Sequence, residues 1–536
     1  MATSSHDSVP LATRQRGSDP SVPTAALLPI SRKKQAAVLF SAFMTTALTI
    51  GYNQSFGVFQ QYYLSPSQDV LIPSPASQAS PPTALLAFVG TLCYGLTWAG
   101  GIVVNPVIAR LEHGRWWVTS ASADTSSPSA RLRRHRLVLR LLTPRVVTIS
   151  GVLIASAGFV LASFARSVWH LLLTQGFLAG IGMSLLYFPL LAPAPEYFTS
   201  HRATALGFIL AGGGAGGLVL SPVIRALLSS IGGRWTLRLY ALFNLLTGLP
   251  IAWTVPRSRF AAGRGAAASA SARERDDEEE EEEEGQQHQR HQQRGFGTHV
   301  SRALASRPAF LLSAMAAFLQ AAGAQLPIAF IPSYTAALGL GSGGGEEKGA
   351  SAVGATLLAV SSAVNAVSRI VAGYAGDRLG RQNALVLTLL LAAASVYAFW
   401  LTSAMLGGRE AGGRGAGTPS SSSPSSWSSA WSLWLAFVAL YSFSAGGYYA
   451  LFPALVADVF GIRHYAAVNA FILFVRGLGT LFGSPVGGQL LGSASEGARA
   501  YTSIAYWDGA LLTAATLCCV GVRWADAKGK GWRWVA

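Results

Sequence analysis

Apolar runs of about 20 residues recur twelve times along the chain, each closed by a polar or Gly/Pro-rich stretch. They fall near residues 36–59, 85–109, 146–165, 169–193, 203–224, 239–256, 309–331, 352–375, 384–404, 431–453, 466–491 and 505–523. A run of that length crosses the roughly 30 Å hydrocarbon layer as one α-helix. A membrane β-barrel would instead alternate polar and apolar residues over about ten positions, and these runs do not. The pattern predicts an all-α membrane protein with twelve transmembrane helices.

One connection breaks the rhythm. From Pro256 to Pro308 the chain carries Asp276-Asp277, the glutamates Glu278 to Glu284 and a Gln/His/Arg tract from Gln286 to Arg294. Such a composition cannot bury a core, so it predicts a disordered linker between six spans and six spans. The expected organisation is a disordered N-tail at 1–35, a six-helix bundle at 36–256, the acidic and Gln-rich linker at 257–307, a second six-helix bundle at 308–523 and a C-tail at 524–536. The two bundles resemble each other weakly. Tyr187-Phe188-Pro189 is followed by Glu196-Tyr197-Phe198 and Arg202, and Leu451-Phe452-Pro453 by Asp458-Val459-Phe460 and Arg463. Parallel six-helix repeats build one class of secondary transporter, with the substrate site between the halves.

Composition agrees. Only 12% of residues are charged and mean hydropathy is +0.38, against about 25% charged in soluble domains. The net charge of +16 does not point to nucleic acid, because the basic residues lie between apolar blocks with no aromatic-interleaved basic face. With both termini in the cytoplasm, most of the 40 lysines and arginines fall on the cytoplasmic side. The plasma membrane is preferred over the vacuolar one. The first 30 residues lack the apolar core of a signal peptide. Cys93, Cys518 and Cys519 sit in apolar segments and imply no disulfide framework. No nucleophile–base pair or metal-ligand cluster occurs in the spans, so neither an enzyme, a metal nor a cofactor is expected. Gly212 to Gly217 contains G-x-G-x-x-G but follows no strand, so it reads as close helix packing rather than a nucleotide site.

The chemistry centres on the eighth span. Arg369 lies in an apolar helix candidate, Ser351 to Ala375, about 12 Å along the axis from Asp377. Asn365, Arg369 and Gly373 recur every four residues and share one face. A charge at that depth costs several kcal/mol unless it meets water or a partner, so this face is expected to line a polar pathway. In the eleventh span Arg476 reads either as a second anchor for an anion or as the cap of a helix kink. Asn53 and Gln54 add polar groups in the first span.

Gly373-x-x-x-Asp377-Arg378-x-Gly380-Arg381 resembles the cytoplasmic-loop signature of the major facilitator superfamily. Tyr197-Phe198-x-x-His201-Arg202-x-x-Ala205-x-Gly207-x-x-x-Ala211-Gly212 is similar to the helix 4–5 signature of its monocarboxylate transporter family. The stretch from Gly51 to Tyr63 resembles that family's fungal branch. The resemblance implies the major facilitator fold and secondary active transport of a small organic solute by alternating access. It implies that Arg369 is the substrate-binding arginine, with Asn365, Gln54, Asn53 and Arg476 completing the lining. Gly373, Asp377, Arg378, Gly380, Arg381, Tyr197 and Arg202 are then expected to gate the cytoplasmic end. Gln54 stands where the animal transporters carry a lysine, and Asn365 where the family has an aspartate. Both changes remove ionisable groups that the implied proton coupling would use, while a carboxylate can still pair with Arg369. Export of a secondary metabolite, or solute sensing without flux, are the alternatives.

Overall fold

The structure, a computed structural model, describes residues 31–71, 83–108, 111, 143–198, 202–256, 300, 302–338, 347–411, 424–492 and 494–530. The first half runs through α1 (Arg32–Leu64), α2 (Ala84–Ile108), α3 (Pro144–Ala162) and α4 (Val168–Leu191). A single helical stretch, Arg202–Trp253, then supplies two more. At 1.5 Å per residue its 52 residues would reach about 78 Å, far beyond one bilayer crossing. It folds back at Gly232, whose φ of 78° and ψ of 172° suit glycine almost alone. Gly216 and Tyr240, on either side of that glycine, both lie against the middle of α1. A Cβ on Gly51 would stand 2.7 Å from the Gly216 Cα, and the Tyr240 hydroxyl donates to the Leu48 carbonyl at 3.2 Å. The stretch is therefore α5 (202–231) and α6 (233–253). The expected connector over 225–238 is helical, and the turn narrows to one residue.

The reversal is fastened from outside. Asp69, after α1, accepts from the first free amides of α6, Gly233 N at 2.8 Å and Arg234 N at 3.4 Å, and from the Tyr62 hydroxyl at 2.8 Å. A carboxylate at a helix N-terminus satisfies orphan donors and the helix dipole together.

The second half comprises α7 (Pro308–Ala337), α8 (Glu347–Leu379), α9 (Arg381–Gly407), α10 (Pro424–Phe460), α11 (Ile462–Gln489) and α12 (Thr502–Lys530). Residues 1–30, 531–536 and nearly all of the acidic linker lie outside the described residues, while 32–35 and 524–530, expected in the tails, are helical and extend α1 and α12. Polarity is inverted relative to a water-soluble bundle. On α8, Val360, Val367, Ile370, Val371 and Tyr374 face outward, while Ser361, Ser362, Asn365, Ser368 and Arg369 are buried. Hydrocarbon solvates the outer face, and polar side chains bond between helices inside. The Ser361 and Ser442 hydroxyls meet at 2.7 Å, and Asn365 Nδ2 donates to the Ser442 carbonyl at 3.2 Å. This is a multi-pass membrane protein of twelve helices in two sets of six.

The halves meet along two seams of small residues. On α5, a Cβ on Gly214 would stand 2.7 Å from the Ala366 Cβ of α8. On α2, one on Gly95 would stand 2.9 Å from the Gly477 carbonyl of α11. Other glycines of the 212–217 run serve α1 instead: a methyl on Gly212 would overlap the Phe43 carbonyl. The run is the close-packing element its sequence suggests, but it packs on two neighbours.

Candidate functional site

Arg369 sits at the first seam, fully buried. Its Nη1 donates to the Leu210 carbonyl of α5, in the other half. Gln54 of α1 reaches the same guanidinium. With its amide nitrogen donating to the Gly213 carbonyl at 3.0 Å, its oxygen accepts from Arg369 Nη2 at 3.2 Å. The Arg369 guanidinium carbon stands 4.5 Å from the ring centre of Tyr449 on α10.

Arg476 of α11 shares that ring, also at 4.5 Å, and lies 5.2 Å from the rings of both Trp98 on α2 and Tyr448 on α10. Aromatic faces attract a desolvated cation by up to about 2 kcal/mol. They offset only part of the cost of burying two guanidiniums. Among the described residues no carboxylate pairs with either arginine, and no backbone carbonyl accepts from Arg476, as a kink cap would require. Trp98 Nε1, the Tyr448 hydroxyl, Asn365 Oδ1 and the Nε of both arginines are buried without a hydrogen-bond partner there. The arrangement is a buried cationic cluster, walled by aromatic rings between the halves, with unused donors. It suits an organic anion.

The structure thus brings together Arg369, Gln54 and Arg476 around Tyr449. Asn365 stays one turn away, tied to α10. Asn53 turns aside: its Nδ2 donates to the Thr49 carbonyl at 2.8 Å and approaches Met183 Sδ of α4 at 3.7 Å. Tyr448 and Tyr449 stand out in the sequence as polar groups within a span, but the Trp98 side of the aromatic wall does not. Trp98 and Tyr94 look like ordinary lipid-span aromatics, and only their burial beside a cation distinguishes them.

The turn between α8 and α9 is built around Arg381. Its Nη1 meets Asp458 Oδ1 of α10 at 2.8 Å and Oδ2 at 3.0 Å, while Nη2 meets Asp377 Oδ1 at 3.1 Å. Gly380 takes φ 92°, Arg378 lies 5.2 Å from the Tyr374 ring and Gly373 is buried. Near the turn Gly376 lies close against α10, where a Cβ would overlap the Leu451 side chain. All these partners belong to the second half, so the ion pairs of Arg381 fasten α10 to the turn rather than one half to the other. In the first half the Tyr197 carbonyl accepts from Gln35 Nε2 at 3.1 Å. The Arg202 side chain lies outside the described residues, as does nearly all of the matching turn after α2.

Known proteins place this architecture. The sequence model described as Major Facilitator Superfamily matches residues 136–411. An MFS-type transporter of Gibberella moniliformis (strain M3125 / FGSC 7600) is 25% identical over 389 residues, which cover 73% of this chain and 78% of that protein. Human Monocarboxylate transporter 11 is 26% identical over 495 residues, 87% of this chain and 88% of that one. The fold matches the partially occluded inward-open structure of the xylose transporter XylE from E. coli with a TM-score of 0.55 at 15% identity. That match covers 90% of this chain and 97% of the other. Twelve helices in two sets of six and a sequence match over half its length together make the chain a member of the Major Facilitator Superfamily, a transporter of some solute.

Proposed function

We propose that the protein carries a small organic anion, monocarboxylate-like or a related metabolite, across the membrane by alternating access. The supporting observation is the pair of buried guanidiniums, Arg369 and Arg476, that share the Tyr449 ring and have no carboxylate partner among the described residues. An anion entering between them relieves the cost of two uncompensated charges and takes up the idle donors. The aromatic wall of Trp98, Tyr448 and Tyr449 favours a solute with a flat or apolar body.

In this reading Arg369 clamps the anionic group and Gln54 orients Arg369, while Arg476 takes a second anionic or polar group. The α8–α9 turn with Asp377, Arg378 and Arg381 holds the cytoplasmic end of α10 during rocking of the halves, and both termini and the 257–307 linker lie in the cytoplasm. Because Arg369 also bonds the Leu210 carbonyl across the seam, solute binding competes with a contact between the halves. That competition links occupancy to conformation.

The test is counterflow in reconstituted vesicles, using labelled aliphatic and aromatic carboxylates together with neutral analogues of the same shape. Carboxylates are expected to exchange and their amides not to, with Arg369→Ala abolishing exchange in protein that still folds. Equal exchange of a carboxylate and its amide, or full exchange by Arg369→Ala, defeats the proposal.

A further inference from the structure

Beyond the cationic cluster, one ionisable group deep in the second half has no role in the account so far. Asp508 of α12 is fully buried, the only acidic residue that is among the described residues. Neither of its carboxyl oxygens has a hydrogen-bond partner there. It stands against α7, where a Cβ on Gly323 would lie 2.9 Å from Asp508 Oδ1.

Among the described residues no cation compensates it. From Pro308 to Ala337, α7 contains no Lys, Arg, His, Asp or Glu, and its one tyrosine, Tyr334, bonds Ser403. From α10 the neighbour is Tyr441, whose hydroxyl donates to the Ala324 carbonyl at 3.4 Å. From α9, Tyr397 lies against the adjacent Gly509. The short segment before α12 carries Glu496 and Arg499, both exposed, and Tyr501, which packs on Phe330 and Tyr334. On α12 itself Arg523, Asp526 and Lys528 are four or more turns away, at least about 22 Å along the axis.

Two deep amides of the first half, Gln175 and Asn244, show what interhelical bonding looks like. Gln175 donates to the Tyr52 hydroxyl at 2.7 Å and accepts from Tyr63 at 2.9 Å. Asn244 Nδ2 donates to Ser156 Oγ at 2.8 Å. Polar residues that serve as interhelical glue are bonded in this way. Asp508 bonds nothing, so it is not glue. An ionised carboxylate with neither cation nor donor costs several kcal/mol at such a site. The group as packed here is therefore the neutral acid.

We propose that Asp508 is a proton-binding site of the second half, neutral when α7, α10 and α12 are packed as seen and ionised only when they part to admit water. The proton leaves the carboxyl oxygen for that water and returns from it. Gly323 supplies the seam at which parting begins, because its missing side chain is all that lets α7 lie on the carboxyl group. A carrier with this site has a conformational equilibrium that follows pH before any solute is bound. The inference stands apart from the solute reading, since it needs neither arginine and no ligand but the proton.

The experiment uses the full chain in lipid nanodiscs with no solute. Infrared spectra are recorded from acid to alkaline pH on protein labelled with ¹³C-aspartate. A carboxylic-acid C=O band, shifted by the label and persisting at neutral pH, is expected in the wild-type protein and absent in Asp508→Asn. Spin labels at the outward-facing Met315 of α7 and Leu517 of α12 follow the helix spacing. Alkaline pH is expected to raise the long-distance population about tenfold or more in wild type and to leave Asp508→Asn unchanged. A missing acid band in folded wild-type protein overturns the proposal, as does a pH response that survives in Asp508→Asn. If the Asn variant fails to fold, the labelled wild-type titration decides alone: an acid band absent at neutral pH refutes, and one present at neutral pH that fades only as alkaline pH parts the helices supports.

Discussion

Adding one methyl group at Gly214 separates two kinds of close packing. Gly214 of α5 faces α8 across the boundary between halves, and its new Cβ would lie 2.7 Å from the Ala366 Cβ and 2.8 Å from the Ala366 amide nitrogen. Carbon atoms pack favourably at about 3.5–4.0 Å, so α5 and α8 must separate by roughly 1 Å. Overpacking of this kind costs about 1–3 kcal/mol. The strain is relieved if the halves rock apart along this seam, so it biases conformation more than folding. A bias of that size changes the population ratio by about 5- to 150-fold. Gly212→Ala is the control. Its methyl meets the Phe43 backbone carbonyl of α1, inside the same half, and no motion between halves relieves that clash. It should lower thermal stability instead. Spin labels at Leu218 on α5 and Val360 on α8, both outward-facing, report the seam in nanodiscs, and thermal unfolding reports the fold. Gly214→Ala is expected to lengthen the distance distribution with little loss of stability, and Gly212→Ala to do the reverse. An unchanged distance in Gly214→Ala, or an equal loss of stability in both variants, would refute the assignment of α5 and α8 to separately moving bodies.

Three further outcomes are expected. Arg476→Ala should reduce vesicle counterflow about 10- to 150-fold, the equivalent of one charged hydrogen bond worth about 1.5–3 kcal/mol; undiminished flux would leave Arg476 a structural role only. Arg381→Ala and Asp458→Ala should each lower thermal stability slightly, with a coupling of about 0.2–1 kcal/mol in the double-mutant cycle that fades in high salt, because both groups are partly exposed. Gly232→Ala should destabilise by about 1–3 kcal/mol, since a side chain at φ 78° and ψ 172° is strained and its methyl would crowd Asp69 Oδ2 at 2.7 Å; unchanged unfolding would show that the α5–α6 turn tolerates another geometry.

The hydrophobic pattern by itself determined twelve helices, because length and apolarity are properties of each segment alone, and the acidic connector divided them into six and six. Arg369 was legible for the same reason: a guanidinium in a lipid-length run has few permissible surroundings. Local residues also marked the Gly380–Arg381 turn. What they could not convey is which segments touch. Tyr449 and Trp98 become the wall of a cationic cluster only because α10 and α2 converge on Arg476, and nothing along either helix announces that convergence. Asn53 and Gln54 are neighbours in sequence, yet about 100° of helical rotation sends one toward Met183 and the other to Arg369. The apolar pattern placed a connector where the structure has continuous helix, since one residue at φ 78° replaces a loop and leaves hardly any polar signature. Asp508 was silent in the sequence, a single carboxyl near a helix end. Only the packing of α7 against it reveals a buried acid without a partner, because burial and pairing are relations between helices.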